Sequence, residues 1–585
     1  MQDAKALFEQ GLERHLARDW RAAEEAYRRA LALAPGRPSV LFNLGRLMLD
    51  LRRDMEAGDF FRRVLAAAPQ DAEAQAGLGE SQARLGQDAE ALVSHARALA
   101  LAPGTPALLA NFARCAAHAR LKPGDLDPQV LVPVLLACLQ SDLVDHQSLA
   151  NVVSLVLRAN GGGFKADPLA HLALEKIIVA NEQDEKLLTS MRREILLSGA
   201  PADAFAFALA SQCFLNEYVW DVSEEEEAAL ERLERAAPSI ARFALLACYR
   251  RPVRADAAGC AIPAGVMQRL IVEPELEASL AACLPGAAIE DPVSRGVQAM
   301  YEENPYPRWT GMSVEPTLGC IERILEDVAP CVPALGAAVE RPRILVAGGG
   351  TGRDPLSYAR FCKGAQVRAI DLSRASLAHA RRKAEELGVR NLELAQQDIL
   401  ALEEENTYDV ISCRGVLHHL AEPEKGLQRL VRALKPGGFL MLALYSSAAR
   451  REVSRIRSVI AREGYAPTPE GIRRCRRRLR RNAAEFGGPV LGALDFYSMS
   501  MARDLLFHVQ EHQYALPQIA AMLGRHGLEF LGFRLSDPAV RALYGHAWPA
   551  DEAMTDLGRW QALEERHPSI FWGMYQFWTR KMRAP

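Results

Sequence analysis

Arg343-Ile344-Leu345-Val346-Ala347-Gly348-Gly349-Gly350-Thr351-Gly352 decides the fold of this 585-residue chain. The first five residues are a short apolar run bounded by a glycine cluster, the pattern of a buried strand. Pro355 then stands in the first turn of a predicted helix that carries Leu356, Tyr358, Ala359 and Phe361. A glycine-rich turn between strand and helix lets a ligand lie against the backbone and meets it with a helix N-terminus. Several kinds of nucleotide site use such a turn. The dinucleotide fingerprint requires glycine at the sixth position, where Arg353 stands instead.

The residues that follow narrow the choice. A second strand over 366–370 ends in Asp371, 19 residues after Gly352, where a carboxylate can accept both ribose hydroxyls. A helix with a Ser373 cap leads to a third strand over 392–395 and then to Gln397-Asp398-Ile399. A fourth strand over 408–413 runs into Arg414-Gly415-Val416-Leu417-His418-His419-Leu420. An amphipathic helix, a Leu434-Lys435-Pro436-Gly437-Gly438 turn and a fifth strand over 439–445 come next. The segments 528–533 and 574–579 read as the last two strands.

Gly-x-Gly-x-Gly after the first strand, with acids ending the second and third, resembles class I S-adenosylmethionine (SAM) methyltransferases. The resemblance covers about 341–447 and implies a Rossmann-like fold with SAM as cofactor. It assigns cofactor contacts to Gly348, Gly350, Gly352, Asp371, Leu372, Asp398, Ile399 and Arg414. One departure stands out: the acid usual two residues before the first glycine is Val346 here. The methionine end of SAM is therefore expected to be held differently.

Methyl transfer from a sulfonium is an in-line displacement, so the acceptor must reach about 3 Å from the methyl with water excluded. A base is needed only when the acceptor is protonated, as a lysine amine is. Residues after the fourth strand face the acceptor in this family, which makes Arg414, Gly415, His418 and His419 candidates. Two further segments qualify. The prolines of Asn304-Pro305-Tyr306-Pro307-Arg308-Trp309 make it extended, a lid or a packing element with Tyr306 and Trp309 available for stacking. The polar cluster over 504–514 contributes His508, Glu511 and Tyr514 as proton-handling candidates. The predicted catalytic set is thus His418, Tyr306, His508, Glu511 and Tyr514, with no metal.

The first 120 residues repeat. Gly11, Gly45 and Gly79 recur at a spacing of 34, as do Ala23, Ala57 and Ala91, then Tyr27, Phe61 and His95, and finally Pro35, Pro69 and Pro103. The period and its small, aromatic and Pro columns resemble the tetratricopeptide (TPR) repeat. Small residues allow two antiparallel helices to cross closely, the aromatic fills the gap toward the next repeat, and Pro ends the second helix. A last helix over 107–119 is expected to cap the array. TPR arrays hold extended peptides, and Asn43 and Asn111 occupy the groove position of such arrays. A protein or peptide substrate in the groove is the expected partner, with packing or self-association as the alternative.

Residues 125–287 read as helical, with breaks at Pro123-Gly124, Gly161-Gly162-Gly163 and Pro201. Ser223-Glu224-Glu225-Glu226-Glu227 is a capped helix start and not an acidic tract. Gln212-Cys213-Phe214-Leu215-Asn216-Glu217-Tyr218 and the Asn304–Trp309 stretch are similar to segments of rickettsial-type protein-lysine methyltransferases. That resemblance extends over about 205–585 and implies lysine N-methylation.

Lys+Arg 70 against Asp+Glu 73 gives a formal charge of -3, which excludes a wholly basic nucleic-acid binder. The balance hides one basic region, since 450–481 holds twelve Arg against three Glu, a local charge of +9. An acidic partner, or the chain's own acidic helices, fits it. Nucleic acid fits less well because aromatics are not interleaved with the arginines. Eleven scattered Cys without a CxxC pair, no apolar run long enough for a membrane and no signal peptide predict a cytoplasmic protein. The expected organisation is a TPR α-solenoid over 1–120, a helical middle domain over 121–295, and a methyltransferase domain over 296–585 with a helical basic insertion at about 448–525. The expected activity is methylation of a protein side-chain amine, lysine first. The alternatives are a small-molecule O- or N-methyltransferase with an assembly role for the TPR array, and a non-catalytic TPR scaffold with a SAM-binding fold.

Overall fold

The computed structural model describes residues 2–122, 124–161, 163–199, 203–328, 339–486, 488–535 and 537–583. The predicted breaks at Pro123, Gly162 and Pro201 lie outside them. Contacts divide the chain into two units. One comprises Met1–Val179, Pro201–Gln212 and Trp309–Glu315; the other comprises Ala180–Ala200, Cys213–Arg308 and Pro316–Pro585.

In the first unit the repeat columns become helix crossings. Helices Gln2–Leu16 and Trp20–Leu33 pack as an antiparallel pair, as do Pro38–Asp50 with Asp54–Ala67 and Ala72–Arg84 with Asp88–Leu101. A methyl group on Gly11 would lie 2.5 Å from the Tyr27 ring, and one on Gly45 would lie 2.8 Å from Phe61. Each aromatic therefore first fills the notch of its own repeat, and Phe61 also closes on Gly77 of the next. The second helices are C-capped by Ala34, Ala68 and Ala102, each followed by the Pro of its column. The last helix of the series is Pro106–His118. Asn43 donates to the Ser39 carbonyl of its own helix, and Asn111 accepts from Arg114.

In the second unit a seven-stranded sheet has the order β3-β2-β1-β4-β5-β7-β6. The strands are β1 (Arg343–Ala347), β2 (Gln366–Asp371), β3 (Leu392–Gln396), β4 (Tyr408–Arg414), β5 (Leu434–Leu444), β6 (Leu528–Phe533) and β7 (Tyr575–Lys581). The first five run parallel and β7 is antiparallel to both of its neighbours. This is a doubly wound, Rossmann-like sheet whose order reverses beside β1, and ligands bind at such a switch point. Apolar side chains bury both faces: Leu345, Ile411, Leu440 and Phe577 on one, Ile344, Val410, Met441 and Trp578 on the other. The fifth strand begins at Leu434 and takes in the residues read as a turn over 434–438, because Leu434 pairs with Tyr408.

The basic insertion folds onto this unit as the helices Arg451–Glu463, Pro469–Arg481 and Met499–Phe507. Its arginines are largely committed within the chain. Arg476, 2 % exposed, donates to Glu185 at 2.9 Å and to the Val219 and Phe496 carbonyls. Arg480 joins it on Glu185, Arg477 binds Asp221, and Arg473 donates to the Tyr218 carbonyl. Arg451, Arg455, Arg462, Arg474 and Arg481 remain exposed. Removing one member of a buried charge pair leaves the other uncompensated. Glu185→Ala is therefore expected to cost about 3–5 kcal/mol in urea unfolding. A loss below about 1 kcal/mol would contradict the network, since that is the range of an exposed pair.

Candidate active site

The glycine loop wraps back over β2. Gly348 and Gly349 both donate to the Ile370 carbonyl, at 2.8 and 2.9 Å. Gly348 has φ +83, and a Cβ there would lie 2.2 Å from the Val416 side chain. Gly352, at φ +93, opens the helix Arg353–Phe361, and a Cβ there would lie 2.5 Å from the Ala380 side chain. No larger residue fits either position. Gly352 shapes the loop from behind, whereas Gly348, Gly349 and Gly350 line a cavity of ≈ 270 Å³.

One half of that cavity carries a graded set of charges along the strand ends. Asp371, at the end of β2, accepts from Gly350 N–H at 2.8 Å and Ser373 N–H at 2.9 Å. Burial raises its pKa and these bonds hold it down. A carboxylate has about four acceptor positions. Two are filled here, which leaves capacity for a diol. Asp398, after β3, caps the Ile399–Ala401 turn through Leu400 N–H and lines the same cavity with Leu372 and Ile399. At the opposite end, Arg414 pairs with Asp354 at 3.3 Å, and Ser412 donates to Asp354 at 2.6 Å. Asp354 stands in the first turn after the glycine loop and supplies a carboxylate on the side where Val346 supplies none. These residues suit a nucleoside with a charged amino-acid tail.

The other half is aromatic and acidic. Tyr301, from the helix Pro292–Glu303, lies 6.2 Å from Tyr306 in a stacked arrangement, and both line the cavity with Tyr445, His419 and Asp504. The Tyr301 hydroxyl donates to Asp504 at 2.5 Å. Burial raises the Tyr301 and Tyr306 phenols well above their ordinary range, so both stay protonated. Arg450 lies over the Tyr445 ring at 3.8 Å and is held by Glu511 at 2.6 Å. Burial, with Asp504 adding its charge, raises the Asp495 carboxyl to about 6.

Tyr306 is the one member of the predicted catalytic set that lines the cavity. His418 points both ring nitrogens into the protein without a hydrogen-bond partner and packs 4.0 Å from Tyr445. Glu511 is taken up by Arg450 and Arg457. Tyr514 continues the sheet, exchanging backbone bonds with Tyr445 and Ser447. His508 stacks on His419 at 3.6 Å, behind the wall. All eight predicted cofactor residues except Gly352 line the cavity. Tyr301, Asp354, Tyr445 and Asp504 lie outside the predicted site residues, and His419, a candidate for facing the acceptor, lies outside the predicted catalytic set. The acid two residues after Gly352 was a legible signal for Asp354, and the neighbouring His for His419. Asp504 opens the polar cluster over 504–514, but its place in the wall comes from long-range packing against Tyr301.

His419, Asp504 and His508 place one ligand atom each within 4.8 Å of one another, a spacing a metal ion could use. The hydrogen bonds favour another reading. His419 Nδ1 contacts the Gln510 carbonyl at 2.8 Å and must carry the proton there, which leaves Nε2 as an acceptor. Gln510 N–H donates to His508 Nδ1 at 3.2 Å, which puts the proton of the neutral ring on Nε2. A protonated Nε2 is a donor and not a metal ligand. Burial keeps both rings neutral, with His508 lowered to about 4.

Residues 344–438 match the family model described as a methyltransferase domain, and residues 14–81 match a tetratricopeptide repeat. An uncharacterized protein of Synechococcus sp. is 32% identical over 297 residues, which span 47% of this chain and 68% of that protein. The tRNA 5-carboxymethoxyuridine methyltransferase of Escherichia coli is 33% identical over 131 residues, 22% of this chain and 46% of the relative. Among solved structures, PKMT2 from Rickettsia typhi is 18% identical with a TM-score of 0.36, over 45% of this chain and 52% of that one. The chain thus spans about half of the Escherichia coli relative and of the Rickettsia structure. The glycine loop, Asp371 and Asp398 fit SAM, and the domain that holds them is a SAM-dependent methyltransferase domain.

Asp371→Ala is expected to weaken SAM binding about ten-fold or more, because a lost bond to a charged group costs about 1.5–3 kcal/mol. Unchanged affinity by calorimetry would contradict the site. His508 has a second, pH-linked consequence. Its folded pKa lies below the ordinary value, so its contribution to stability is complete above about pH 6.5 and is lost as pH falls toward 4. Taking the pH from about 7 to about 5 should therefore lower Tm more in the natural chain than in His508→Asn. Equal drops would contradict a buried neutral ring.

Proposed function

Because this chain belongs to the same family as the Synechococcus protein and carries a SAM-dependent methyltransferase domain, we propose that it methylates a side-chain amine of another protein, lysine above all. The observation that carries this reading is the acceptor half of the cavity, where Tyr301, Tyr306 and Tyr445 surround the Asp504 carboxylate. Aromatic faces and a buried anion attract an ammonium group, by about 2 kcal/mol or more per desolvated ring contact. A neutral hydroxyl gains little from the same wall.

Bound SAM supplies an electrophilic methyl group on a sulfonium. Asp371, Asp398 and the Arg414–Asp354 pair hold and orient it, while Tyr306 and Pro307 cover the cavity and exclude water. An acceptor ammonium must lose a proton before its lone pair can attack. His419 is neutral, lines the cavity and keeps Nε2 free of a proton, which suits it to receive that proton. Asp504 stabilises the imidazolium that results.

The TPR array would recruit the protein substrate, and the exposed arginines 451, 455, 462, 474 and 481 would favour an acidic one. Ten described cysteines are free thiols, in keeping with a reducing cytoplasm. Among the described residues no helix is long and apolar enough to cross a membrane. The second reading is an oxygen acceptor on a small molecule, in line with the name of a further relative, the ubiquinone biosynthesis O-methyltransferase of Paracidovorax citrulli, 32% identical over 116 residues, which span 20% of this chain and 48% of that protein. That acceptor would bring no positive charge to Asp504, which would then have only the Arg450 guanidinium.

Incubating the full chain with labelled SAM and a cell-extract proteome, then hydrolysing the protein, should yield labelled methyl-lysine. Label confined to small molecules or RNA would contradict the amine reading. Deleting residues 1–120 should keep SAM affinity and reduce protein methylation several-fold. Equal methylation would remove the recruiting role.

A further inference from the structure

The acceptor wall is assembled from a strained bend elsewhere in the chain. Glu217 and Tyr218 are consecutive non-glycine residues in the left-handed region, at φ +56 and +60. Such backbone is strained and persists only where its surroundings over-determine it. Here the surroundings are the start of the helix Met499–Phe507, whose first turn has N–H groups with no partner inside the helix. The Asn216 carbonyl accepts from Met499 N–H at 3.1 Å, and the Glu217 carboxylate accepts from Ser500 N–H at 2.6 Å. Ser498 caps the next donor, Met501 N–H, at 3.3 Å. The bend thus does what a helix cap does, from 283 residues away in sequence.

That helix carries the acceptor machinery. Asp504 reaches the cavity from it, and Arg503 pairs with Glu303 at 2.6 Å, one residue before the 304–308 segment that delivers Tyr306. The same Glu217 faces Arg308 of that segment at 4.0 Å. Arg308 is fixed in turn by Glu277 at 3.3 Å and lies over the Phe214 ring at 5.6 Å. One half-buried side chain therefore meets both pieces of chain that build the acceptor wall, and does not itself line the cavity.

We propose that Glu217 is a positioning residue, acting through Ser500 and Arg308 to set Asp504 and Tyr306 at the separation the acceptor requires. This rests on the amine reading only for the kind of group received. The role predicts a split: cofactor affinity is independent of Glu217, because Asp371, Asp398 and the glycine loop belong to the sheet, and acceptor affinity depends on it.

The test uses the full chain and two probes, 5′-deoxyadenosine linked at its 5′ carbon to a butylamine and its butanol counterpart. Glu217→Ala should leave SAM affinity within about two-fold, weaken the amine probe about ten-fold, and raise amide exchange over 499–507. Glu217→Gln keeps the acceptor for Ser500 N–H and should restore most of the probe affinity. Arg308→Ala, which keeps the helix cap, should give a smaller loss in the same direction and stands in if Glu217→Ala fails to fold. Parallel loss of SAM and probe, or unchanged probe affinity, would overturn the role. If the natural chain binds both probes equally, the amine reading fails instead. The positioning role is then decided by whether Glu217→Ala weakens the butanol probe alone while SAM is held.

Discussion

Asp504 is a carboxylate placed where water scarcely reaches, and an uncompensated buried charge costs several kcal/mol. Tyr301 provides one hydrogen bond, and the neutral rings of His419 and His508 stand beside it. Much of the C-terminal unit can be understood as the means of holding this group. The helix that bears it is capped by the Asn216–Glu217 bend, tied to the Tyr301 helix through Arg503–Glu303, and roofed by the arginine-rich insertion. The Arg450 guanidinium, over the Tyr445 ring, also interacts with Asp504, and a cation entering the cavity would add to that compensation.

The same physics accounts for the arginines. A helix with Arg on nearly every side looks like a solvated surface element or a docking site. Instead Arg476 is buried against Glu185, and Arg477, Arg480 and Arg473 bind acids and carbonyls from residues 185–221. Guanidinium suits this use, because its donors fork to several acceptors at once. The +9 of the insertion is therefore to a large extent an internal adhesive, which narrows any acidic partner to the arginines left exposed.

How far the sequence could be read follows from distance along the chain. The cofactor half was legible because its residues sit at strand ends and in a glycine loop, where a local rule fixes each one. The repeat columns were legible for the same reason: Gly11 and Tyr27, or Gly45 and Phe61, meet within one unit. The acceptor half obeys no such rule. Tyr301 and Asp504 touch across 203 residues, and nothing in their spacing announces it. His418 and His419 differ by one step of a short turn, which turns one inward onto Tyr445 and the other toward the cavity. Periodicity cannot make that choice over three residues.

The proposed selection of a cationic amine by Asp504, in the cavity that fits SAM, is what the rest of the functional reading depends on. The most direct measurement is the Asp504→Asn chain, with SAM affinity by calorimetry and methyl transfer to lysine measured side by side. SAM affinity should stay within about two-fold of the natural chain while kcat/KM falls about thirty-fold or more, since truncating a buried charge partner costs about 2–5 kcal/mol. Transfer that survives Asp504→Asn unchanged would contradict it.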